Sequence, residues 1–535
     1  MLLLLFLLIP SAVQSFVVKT TNTFATHNTV RLMATKTHHC DVAVFGGGFG
    51  GLYTALALSR ESQRRGKSLD VVLVDPSEQF VFLPLLYDLT VGTATTTEVC
   101  PYYKDILPGT GVRHIRASFD QFSSPNFLSA NLLHNNSTNS LSFRSSVVAV
   151  GSTPESSLAT VPGASEFAQP FYTQNDAVET QQLLEQLEVS VRNGEEPRCA
   201  VIGGGYGGVE LAACVKRRIP KCQVTLLSRG PPMQGTRAEA LVEKALQKLG
   251  VTIELCSVQE IVPFQNTSDS LIIKRQGEAD LEIDDSIPWD AVLWTAGSGV
   301  AQPVSEGIDG LSKADSGRLA IDVTLRCIQE DPSKMPTPLV WALGDCAEIL
   351  GETGQPAVPK TAQAAMQQAD IVANNILAEL QILKSVKKFQ YQDLGSMLTL
   401  GGATAAISAP IDDSPLAPIF KPFLDTARVG LGFADEALVQ LGKSPVVERA
   451  GLTPVVESME SLGLSLGGYG LGVDTDVAPG TLAGTISGAA RRAVYAARMP
   501  TNRQRVYAAA SAAFSTANTI AQEAFEQMEE NKVDE

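Results

Sequence analysis

Glycines at the spacing G-x-G-x-x-G occur twice in this chain, in the stretches "FGGGFGG" and "IGGGYGG". In such a motif the first glycine allows a tight turn, the second lets the backbone approach a pyrophosphate, and the third lets a helix pack on a strand. The free N–H groups at the start of that helix then bind the anion. Both stretches are therefore predicted to bind a dinucleotide. The glycines concerned are Gly46, Gly48, Gly50 and Gly51 in the first stretch and Gly203, Gly205 and Gly208 in the second.

The segments around both glycine turns have the composition of a strand before the turn and of a helix after it. Residues 41–45 and 198–202 are short apolar runs, which predict buried strands. Residues 51–60 are rich in Ala and Leu, which predicts a helix. A glycine-rich loop that only closes a turn needs no strand before it and no helix after it. Because this context occurs at both stretches, two dinucleotide sites are favoured.

The residue that ends the next strand distinguishes the two sites. After the first turn, "VVLVD" ends on Asp75, which can accept hydrogen bonds from an adenosine ribose and suits FAD. After the second turn, "QVTLLS" ends on Ser228 and is followed by Arg229. An acid there would repel a 2′-phosphate, whereas a Ser–Arg pair would bind it, so NADPH is favoured over NADH. The alternative for Arg229 is an exposed loop charge.

A third segment, "PLVWALGDCAEI" at 338–349, predicts a strand that ends at Gly344 and Asp345 and enters a helix. This order of motifs resembles that of flavoproteins with two dinucleotide sites. In those proteins such a Gly-Asp pair reaches the ribityl chain and phosphate of FAD. Residues 147–154 and 292–298 resemble the strands at which those chains cross between domains. The predicted fold is therefore α/β, with two Rossmann-like domains and the NAD(P) domain inserted into the FAD domain. Two such sites place a nicotinamide against a flavin for hydride transfer.

The first forty residues have the composition of a targeting leader. Residues 2–9 are an uninterrupted apolar run, which is too short to span a bilayer but suits a signal peptide. Residues 16–40 contain three basic residues, many Thr and no acid, as in a transit peptide. This two-part leader resembles those of algae with secondary plastids and predicts a plastid location. Plain secretion and a mitochondrial leader are the alternatives.

The chain is predicted to have seven parts. They are a signal peptide at 1–15, a transit peptide at 16–40, the first part of an FAD-binding domain at 41–160, an NAD(P)-binding domain at 161–297, the second part of the FAD-binding domain at 298–410, an insertion of unassigned role at 411–480, and a C-terminal helical, amphipathic, membrane-associating region at 481–535.

A helix is predicted within 358–380, opened by Pro359. Gln363 and Gln367 are four residues apart and therefore share one face of it. An ordinary solvated face is the alternative for these two side chains. Many flavoproteins of this build pass electrons to a cysteine pair in the first FAD helix, but residues 51–60 contain no cysteine, and none of the eight cysteines forms a C-x-x-C pair. A redox-disulfide acceptor is therefore disfavoured.

The glutamine pattern of 362–368 resembles the quinone-site signature of the type II NAD(P)H:quinone oxidoreductases. The segments "FVFLPLLYDLTVG" at 80–92 and "FQYQDLGSMLTLGGATAAI" at 389–407 are similar to the same family, and 488–505 is most similar to its plant and algal plastid branch. The resemblance implies a non-proton-pumping enzyme that passes electrons from NADPH or NADH through FAD to a membrane quinone, either a phylloquinone precursor or a plastoquinone-like acceptor.

The same resemblance implies three catalytic residues. Glu210 would face the nicotinamide, and Gln363 and Gln367 would line the quinone headgroup pocket. An acid that simply suits the dipole in the first turn of a helix is the alternative for Glu210. Lys360 departs from the family, whose members usually carry a small residue there.

Charge and composition limit the kinds of partner that this protein is expected to have. The net charge of −16 excludes a nucleic-acid partner on electrostatic grounds, and five histidines leave little material for a metal site, so no metal is expected. Residues 484–522 contain five arginines, apolar side chains between them and no acid, which predicts peripheral attachment to an anionic membrane. A packed terminal helix pair is the alternative, and a homodimer is left open. The arginines are Arg491, Arg492, Arg498, Arg503 and Arg505.

Two other functions compete with quinone reduction. One is a soluble flavin reductase that acts on a protein or a small radical acceptor, which lack of membrane association would favour. The other is a non-enzymatic flavoprotein redox sensor, which very slow quinone turnover would favour.

Overall fold

The computed structural model of the chain describes most residues between His38 and Leu400 and a few stretches beyond them. The predicted leader up to residue 37, all of the predicted insertion at 411–480 and most of the C-terminal region lie outside the described residues. The described ranges are 38–123, 126–134, 137–236, 238–264, 270–277, 282–283, 288–331, 339–350, 358–393, 396–400, 405–408, 481–484, 495, 498–500 and 504–505.

A parallel sheet of five strands carries the first glycine turn, and we call it the first sheet. Its central strand is the predicted apolar run before Gly46, and all four residues of that strand are buried. Continuous apolar runs of this kind are typical of parallel strands, which are covered by helices on both faces. In sheet order the strands are Val340–Ala342, Ser145–Val148, Val42–Phe45, Val71–Asp75 and Val112–Arg116.

A second parallel sheet of five strands, here the second sheet, carries the second glycine turn in the same way. Its central strand ends at Ile202, immediately before Gly203. The predicted strands before both turns, and those that end at Asp75 and Ser228, are confirmed. In sheet order the strands are Gln169–Pro170, Ala291–Trp294, Arg198–Ile202, Gln223–Ser228 and Thr252–Leu255.

Each glycine turn is followed by a helix, as predicted. The first helix is Phe49–Arg64, longer at both ends than the sequence indicated, and the second is Tyr206–Arg218. Helix Gln174–Arg192 starts with a capping box, in which the Thr173 hydroxyl and the Asp176 carboxylate each accept a backbone N–H of the first turn. Within the described residues, the remaining α-helices are Leu86–Thr90, Thr96–Val99, Tyr103–Ile106, Glu155–Leu158, Ala164–Phe167, Glu239–Leu249 and Ala362–Glu379.

The chain passes between the two sheets at one place. Ser152–Thr153, on the way from the first sheet to the second, pairs antiparallel with Gly299–Val300, on the way back. The two passages are therefore held side by side by backbone hydrogen bonds. This is the arrangement of one dinucleotide-binding unit inserted into another. We call the part that contains the first sheet the first unit, and the part that contains the second sheet the inserted, or second, unit.

Two predicted details at the edge of the first sheet differ in the structure. The strand Val340–Ala342 is followed by a 3-10 helix of a single turn, Gly344–Cys346, and then by the strand Ala347–Ile349, so no α-helix begins there. Pro359 does not open the helix predicted within 358–380, which begins at Ala362. We call this helix, Ala362–Glu379, the acceptor helix after the role expected of Gln363 and Gln367. Thr361 caps that helix instead, because its hydroxyl accepts the N–H of Ala364 at 3.2 Å.

Smaller sheets flank the two parallel ones. The strand Ala405–Ser408 pairs antiparallel with Thr481–Gly484, so the chain leaves this sheet before the predicted insertion and returns to the neighbouring position after it. In sheet order the smaller sheets are His38–His39, Ser137–Ser142, Ser129–His134 and Ser118–Phe122; Ser257–Pro263, Leu271–Gln276 and Glu282–Ile283; Leu319–Ile321 and Ala347–Ile349; and Ser396–Thr399, Ala405–Ser408 and Thr481–Gly484.

Candidate active site

The first glycine turn places three glycines in three different environments. Gly46 has φ +101°, in the region that only glycine adopts readily, and a Cβ there would lie 2.3 Å from the carbonyl oxygen of Ala149. A Cβ on Gly51 would lie 1.8 Å from the carbonyl oxygen of Gly46, so the helix packs here as closely as the motif requires. Gly48 is the N-cap of helix Phe49–Arg64, and a Cβ there would meet nothing within 4 Å. The space in front of the helix start is therefore open, as a pyrophosphate site requires.

Asp75 lies beside the first turn, as the spacing predicts. Its Oδ2 accepts the N–H of Gly47 at 2.6 Å, and its Oδ1 accepts the N–H of Ser77 at 2.8 Å. Burial raises the pKa of Asp75 to about 6, and these two N–H groups oppose that rise. Tyr103 donates to the carbonyl oxygen of Gly47 at 2.8 Å and packs against His114, with 4.5 Å between ring centroids. The backbone N–H and the carbonyl oxygen of Gly47 are thus both hydrogen-bonded to side chains.

Gly344 and Asp345 lie where the first sheet meets the acceptor helix. Gly344 has φ +74°, and its N–H donates to Oε1 of the buried Gln368 at 2.8 Å. Asp345 is half-buried, and its Oδ2 accepts the hydroxyl of Ser152 at 2.9 Å. Its Oδ1 accepts no hydrogen bond from the described residues. That oxygen is therefore available to a hydroxyl-bearing ligand.

The second glycine turn repeats the geometry of the first. Gly203 has φ +122°, and a Cβ on Gly208 would lie 1.7 Å from the carbonyl oxygen of Gly203. Gly205 is the N-cap of helix Tyr206–Arg218, and a Cβ there would meet nothing within 4 Å. Met233 donates its N–H to the carbonyl oxygen of Gly204 at 2.7 Å, so the loop after Ser228 folds back over the turn.

Ser228 and Arg229 lie at the expected strand end. Ser228 is buried, and its hydroxyl donates to the carbonyl oxygen of Gly230 at 2.7 Å. A Cβ on Gly204 would lie 2.1 Å from that hydroxyl oxygen, so Ser228 packs directly beneath the glycine turn. Arg229 is exposed and makes no ion pair with a described residue. Its guanidinium is therefore available to an anion beside the turn.

Glu210 is the fifth residue of helix Tyr206–Arg218, so the alternative of a first-turn acid is wrong. Its side chain is buried, and its Oε1 accepts the N–H of Thr399 at 2.7 Å. Burial raises the pKa of the neighbouring Tyr87 well above its usual value, and the charge of Glu210 raises it further. Glu210 thus joins the inserted unit to the strand Ser396–Thr399. Its contact with a nicotinamide stays a prediction.

The two candidate acceptor glutamines face the same segment, as their spacing predicts. Oε1 of Gln363 accepts the hydroxyl of Tyr391 at 2.8 Å. Gln367 exchanges two hydrogen bonds with the backbone of Gln392, donating to its carbonyl oxygen at 2.8 Å and accepting its N–H at 3.0 Å. Gln367 therefore holds the chain after the helix in place, whereas Gln363 binds a side chain. Lys360, just before the helix, is exposed.

A short piece of the C-terminal region packs against the first unit. The rings of Phe82 and Tyr495 lie 5.5 Å apart, and Met499 is fully buried. The hydroxyl of Tyr53, in the first helix, donates to the carbonyl oxygen of Arg498. Phe82 belongs to the segment 80–92 that resembles the family, so this segment contacts the C-terminal region.

Comparison with known proteins agrees with this geometry. A family model described as pyridine nucleotide-disulphide oxidoreductase matches residues 40–369. The alternative NAD(P)H-ubiquinone oxidoreductase C1, chloroplastic/mitochondrial, of Arabidopsis thaliana is 33% identical over 69% of this chain and 72% of its own length. The chain belongs to the type II NAD(P)H:quinone oxidoreductase family.

Two further relatives extend the comparison for this type II oxidoreductase. The demethylphylloquinone reductase NdbB of Synechocystis sp. is 33% identical over 69% of this chain and 86% of its own length. The structure of NDH2 from Plasmodium falciparum in complex with NADH has a TM-score of 0.57 at 16% identity, over 74% of this chain and 95% of that one. The latter likeness supports the fold, which is the predicted α/β arrangement.

The cysteines of this type II oxidoreductase are all free, and all but Cys40 are buried. Helix Phe49–Arg64 contains none of them. Burial raises the pKa of Cys346, the thiol next to Asp345, to about 11, so it is a thiol at neutral pH. The wider family is named for disulphide substrates, but this chain places no cysteine pair at the first turn.

Among the described helices, none has the length and hydropathy needed to cross a bilayer. In the same part of the chain, no three His, Cys, Asp or Glu side chains come together in a way that could hold a metal ion.

Several residues at the site were not singled out from the sequence. Tyr103 and Tyr172 lie far along the chain from the residues that they support, and neither carries a motif that marks it. Ser152 lies within the quoted crossing segment, and Gln368 lies within the quoted glutamine pattern, but their partners are set by tertiary contacts.

Proposed function

We propose that this chain is a FAD-dependent, non-proton-pumping NAD(P)H:quinone oxidoreductase that uses NADPH in preference to NADH and reduces a membrane quinone. The observation that carries the proposal is the pair of open helix starts at Gly48 and Gly205, each on its own parallel sheet within one chain. Two dinucleotides bound in this way can meet between the sheets. The names of the relatives support a quinone as the acceptor.

The residues of the first unit fit FAD. Gly48 leaves room for a pyrophosphate at the helix start, and Asp75 lies where an adenosine ribose needs an acceptor. Asp345 offers a carboxylate oxygen without a described partner to the ribityl hydroxyls. FAD bound there would supply a hydride acceptor for the nicotinamide and a two-electron donor for the quinone. The protein binds and orients the reactants around it.

The second unit would bind NADPH through Gly205 and the loop after Ser228. The helix start favours the pyrophosphate, and the exposed Arg229 offers a cation for the 2′-phosphate. Because no carboxylate ends this strand, nothing at that position repels a 2′-phosphate. NADH would lack this ion pair and bind less tightly.

The acceptor side would be built from Gln363 and Gln367, while Glu210 would face the nicotinamide. Tyr391 fixes the amide of Gln363, and Gln392 fixes that of Gln367, so both amides are pre-organised next to the helix start. Pre-organised donors and acceptors orient a quinone carbonyl at a lower entropic cost than mobile ones. The buried carboxylate of Glu210 connects this side to the NADPH-binding helix.

We infer that the protein acts in a plastid, peripherally on a membrane, with mitochondria as the alternative. The composition of 1–40 supports this location, as does the relative named chloroplastic/mitochondrial. A phylloquinone precursor or a plastoquinone-like compound is the proposed acceptor, because the cyanobacterial relative is named a demethylphylloquinone reductase. A homodimer is compatible with this proposal.

Steady-state kinetics of the purified flavoprotein tests the function. Flavin content near one per chain and turnover of NADPH with a naphthoquinone or benzoquinone are expected, with rates in the range of typical enzymes, above about 1 per second. Turnover with one-electron acceptors but not with quinones would indicate the soluble reductase instead. Flavin reduction without turnover on any acceptor would indicate a redox sensor.

The nucleotide preference is tested at Ser228. We expect Ser228→Glu to erase or reverse the NADPH preference, because the new acid repels a 2′-phosphate and can bind a 2′-hydroxyl. The expected change in relative kcat/KM corresponds to about 2 kcal/mol of charged hydrogen bonding. Ser305→Glu, which adds the same charge at an exposed position outside both glycine turns, is the control. A wild-type protein that strongly prefers NADH would contradict the assignment of Arg229.

A further inference from the structure

Three side chains form a hydrogen-bonded chain between the two units. Oγ of Ser152 donates to Oδ2 of Asp345 at 2.9 Å and lies 3.2 Å from the hydroxyl of Tyr172. A serine hydroxyl has a single proton to donate, and an ionised carboxylate can only accept. Since Ser152 uses its proton on Asp345, Tyr172 must be the donor to Ser152. The chain therefore has one direction, from the phenol through the hydroxyl to the carboxylate.

The phenol end of this chain is fixed to the inserted unit. The N–H groups of Tyr172 and Thr173 both donate to Oδ2 of Asp176, at 2.9 and 2.7 Å. The bond from Thr173 belongs to the capping box of helix Gln174–Arg192. The preceding residue, Phe171, packs its ring 5.0 Å from that of Tyr87 in the first unit. Tyr172 thus has little freedom to move away from Ser152.

The middle of the chain lies where the polypeptide passes between the units. Ser152 is buried and pairs with Val300 in the two-stranded crossing. Both passages of the chain are therefore held next to the Asp345 carboxylate. Burial raises the pKa of Tyr172, which keeps its hydroxyl protonated and able to donate at neutral pH.

We propose that Tyr172 and Ser152 are positioning residues for FAD. They form a hydroxyl relay that orients the carboxylate of Asp345 toward the bound cofactor. With Oδ2 held by Ser152, the other oxygen, Oδ1, is directed to the ligand. Hydrogen bonds in such a chain strengthen one another, so the phenol affects the carboxylate without touching the cofactor. The inference rests on the proposed FAD site and adds to it a contribution from the NADPH-binding unit.

The test is the rate of FAD release from the diluted holoprotein, followed by the rise in free-flavin fluorescence. Ser152→Ala removes the bond to the carboxylate and should speed release about tenfold, whereas Tyr172→Phe should speed it about three- to fivefold. The double variant should release FAD no faster than Ser152→Ala, because the phenol acts only through the serine. Ser152→Thr keeps the hydroxyl and should restore release to within about twofold of the wild type.

Tyr102→Phe is the matched control, since it removes a phenol from an exposed tyrosine. Thermal unfolding of each holoprotein separates a loss of folding from a loss of FAD. Release at the wild-type rate in Tyr172→Phe, or a double variant whose effect is the product of the two single effects, would overturn the relay. A wild-type protein that retains no FAD would instead overturn the proposed function, so the two failures are distinguishable.

Discussion

At the scale of single residues, substitutions of Gly48 and Gly51 test two different properties. The first tests the binding of a dinucleotide, and the second tests the folding of the turn. A side chain at Gly48 meets no protein atom within 4 Å, whereas a Cβ at Gly51 would lie 1.8 Å from a carbonyl oxygen. We expect Gly48→Val to fold with a thermal midpoint close to that of the flavin-free wild type but to retain no FAD, because the side chain fills the pyrophosphate position. Flavin absorbance after purification is the measurement.

Gly51→Val is the comparison for this prediction. The steric conflict lies within the protein itself, so this variant should have a free energy of unfolding lower by several kcal/mol, on the order of the larger single-residue effects. Little soluble, cooperatively folded protein is then expected. Full flavin content in Gly48→Val would contradict the assignment of the first site, even if Gly51→Val behaved as expected.

The carboxylate of Asp75 gives a pH dependence with a defined sign. Burial raises its pKa to about 6 in the protein alone. Ribose hydroxyls donate to the ionised form, so FAD binding favours ionisation and its affinity rises with pH until Asp75 is ionised, above about 6. We expect affinity about tenfold weaker near pH 5 than near pH 7.5, measured by titration of flavin fluorescence.

Two controls identify the group responsible for this pH effect. Burial lowers the pKa of the adjacent His114 to about 4, so it stays neutral over most of this range. Asp75→Asn should bind FAD more weakly and without the pH dependence. In the flavin-free protein the sign is opposite, because an acid whose pKa is raised on folding, from 3.8 to about 6, costs stability as the pH rises between those values. A pH effect that persists in Asp75→Asn would assign it elsewhere.

At the scale of elements, the helix Ala362–Glu379 gives its two glutamines different roles. Gln363 binds the Tyr391 hydroxyl, while Gln367 exchanges two hydrogen bonds with the Gln392 backbone. We expect Gln363→Leu to leave flavin reduction by NADPH near the wild-type rate and to slow reoxidation by quinone about tenfold, through loss of an orienting hydrogen bond. Stopped-flow absorbance resolves the two half-reactions.

Gln367→Leu should slow reoxidation less and lower the thermal midpoint, because its contacts are to backbone, at a net cost of about 1 kcal/mol. Gln182→Leu, at an exposed position on helix Gln174–Arg192, controls for the substitution itself. Slowed reduction with normal reoxidation in Gln363→Leu would place this side chain at the nicotinamide and remove it from the quinone site.

The same elements show which features the sequence predicts and why others escape it. Strand ends at Asp75 and Ser228 follow from local apolar runs and from the glycine spacing, and both are confirmed. The helix start at Ala362 was misplaced because Pro359 also suits a helix start, while the cap that decides it is the hydroxyl of Thr361. The relay from Tyr172 to Asp345 depends on contacts of Ser152 with residues 20 and 193 positions away in the sequence. Local patterns carry no information on such pairs.

At the scale of the whole molecule, the C-terminal region is the proposed site of membrane contact. The contacts of Tyr495, Arg498 and Met499 bind the region to the first unit beside Phe82. Residues 484–522 contain five arginines and no acid, while the whole chain carries a net charge of −16. The overall charge repels an anionic bilayer, so attraction has to come from this local cluster. A quinone dissolved in lipid would then enter next to the acceptor helix.

Vesicle flotation tests this last prediction with the protein from residue 38 onward. We expect binding to vesicles with anionic lipid, release at high salt, and little binding to neutral vesicles. Replacing Arg491, Arg492 and Arg503 together by Gln should weaken binding roughly 100-fold, at about 1 kcal/mol per arginine, and leave turnover of a water-soluble short-chain quinone unchanged. Replacing Arg60, Arg64 and Arg65, three exposed arginines of the first helix and its cap, removes the same charge elsewhere and should change binding little. Equal losses in both triple variants would mean that net charge and not the C-terminal cluster governs binding, and the proposed membrane contact would fail.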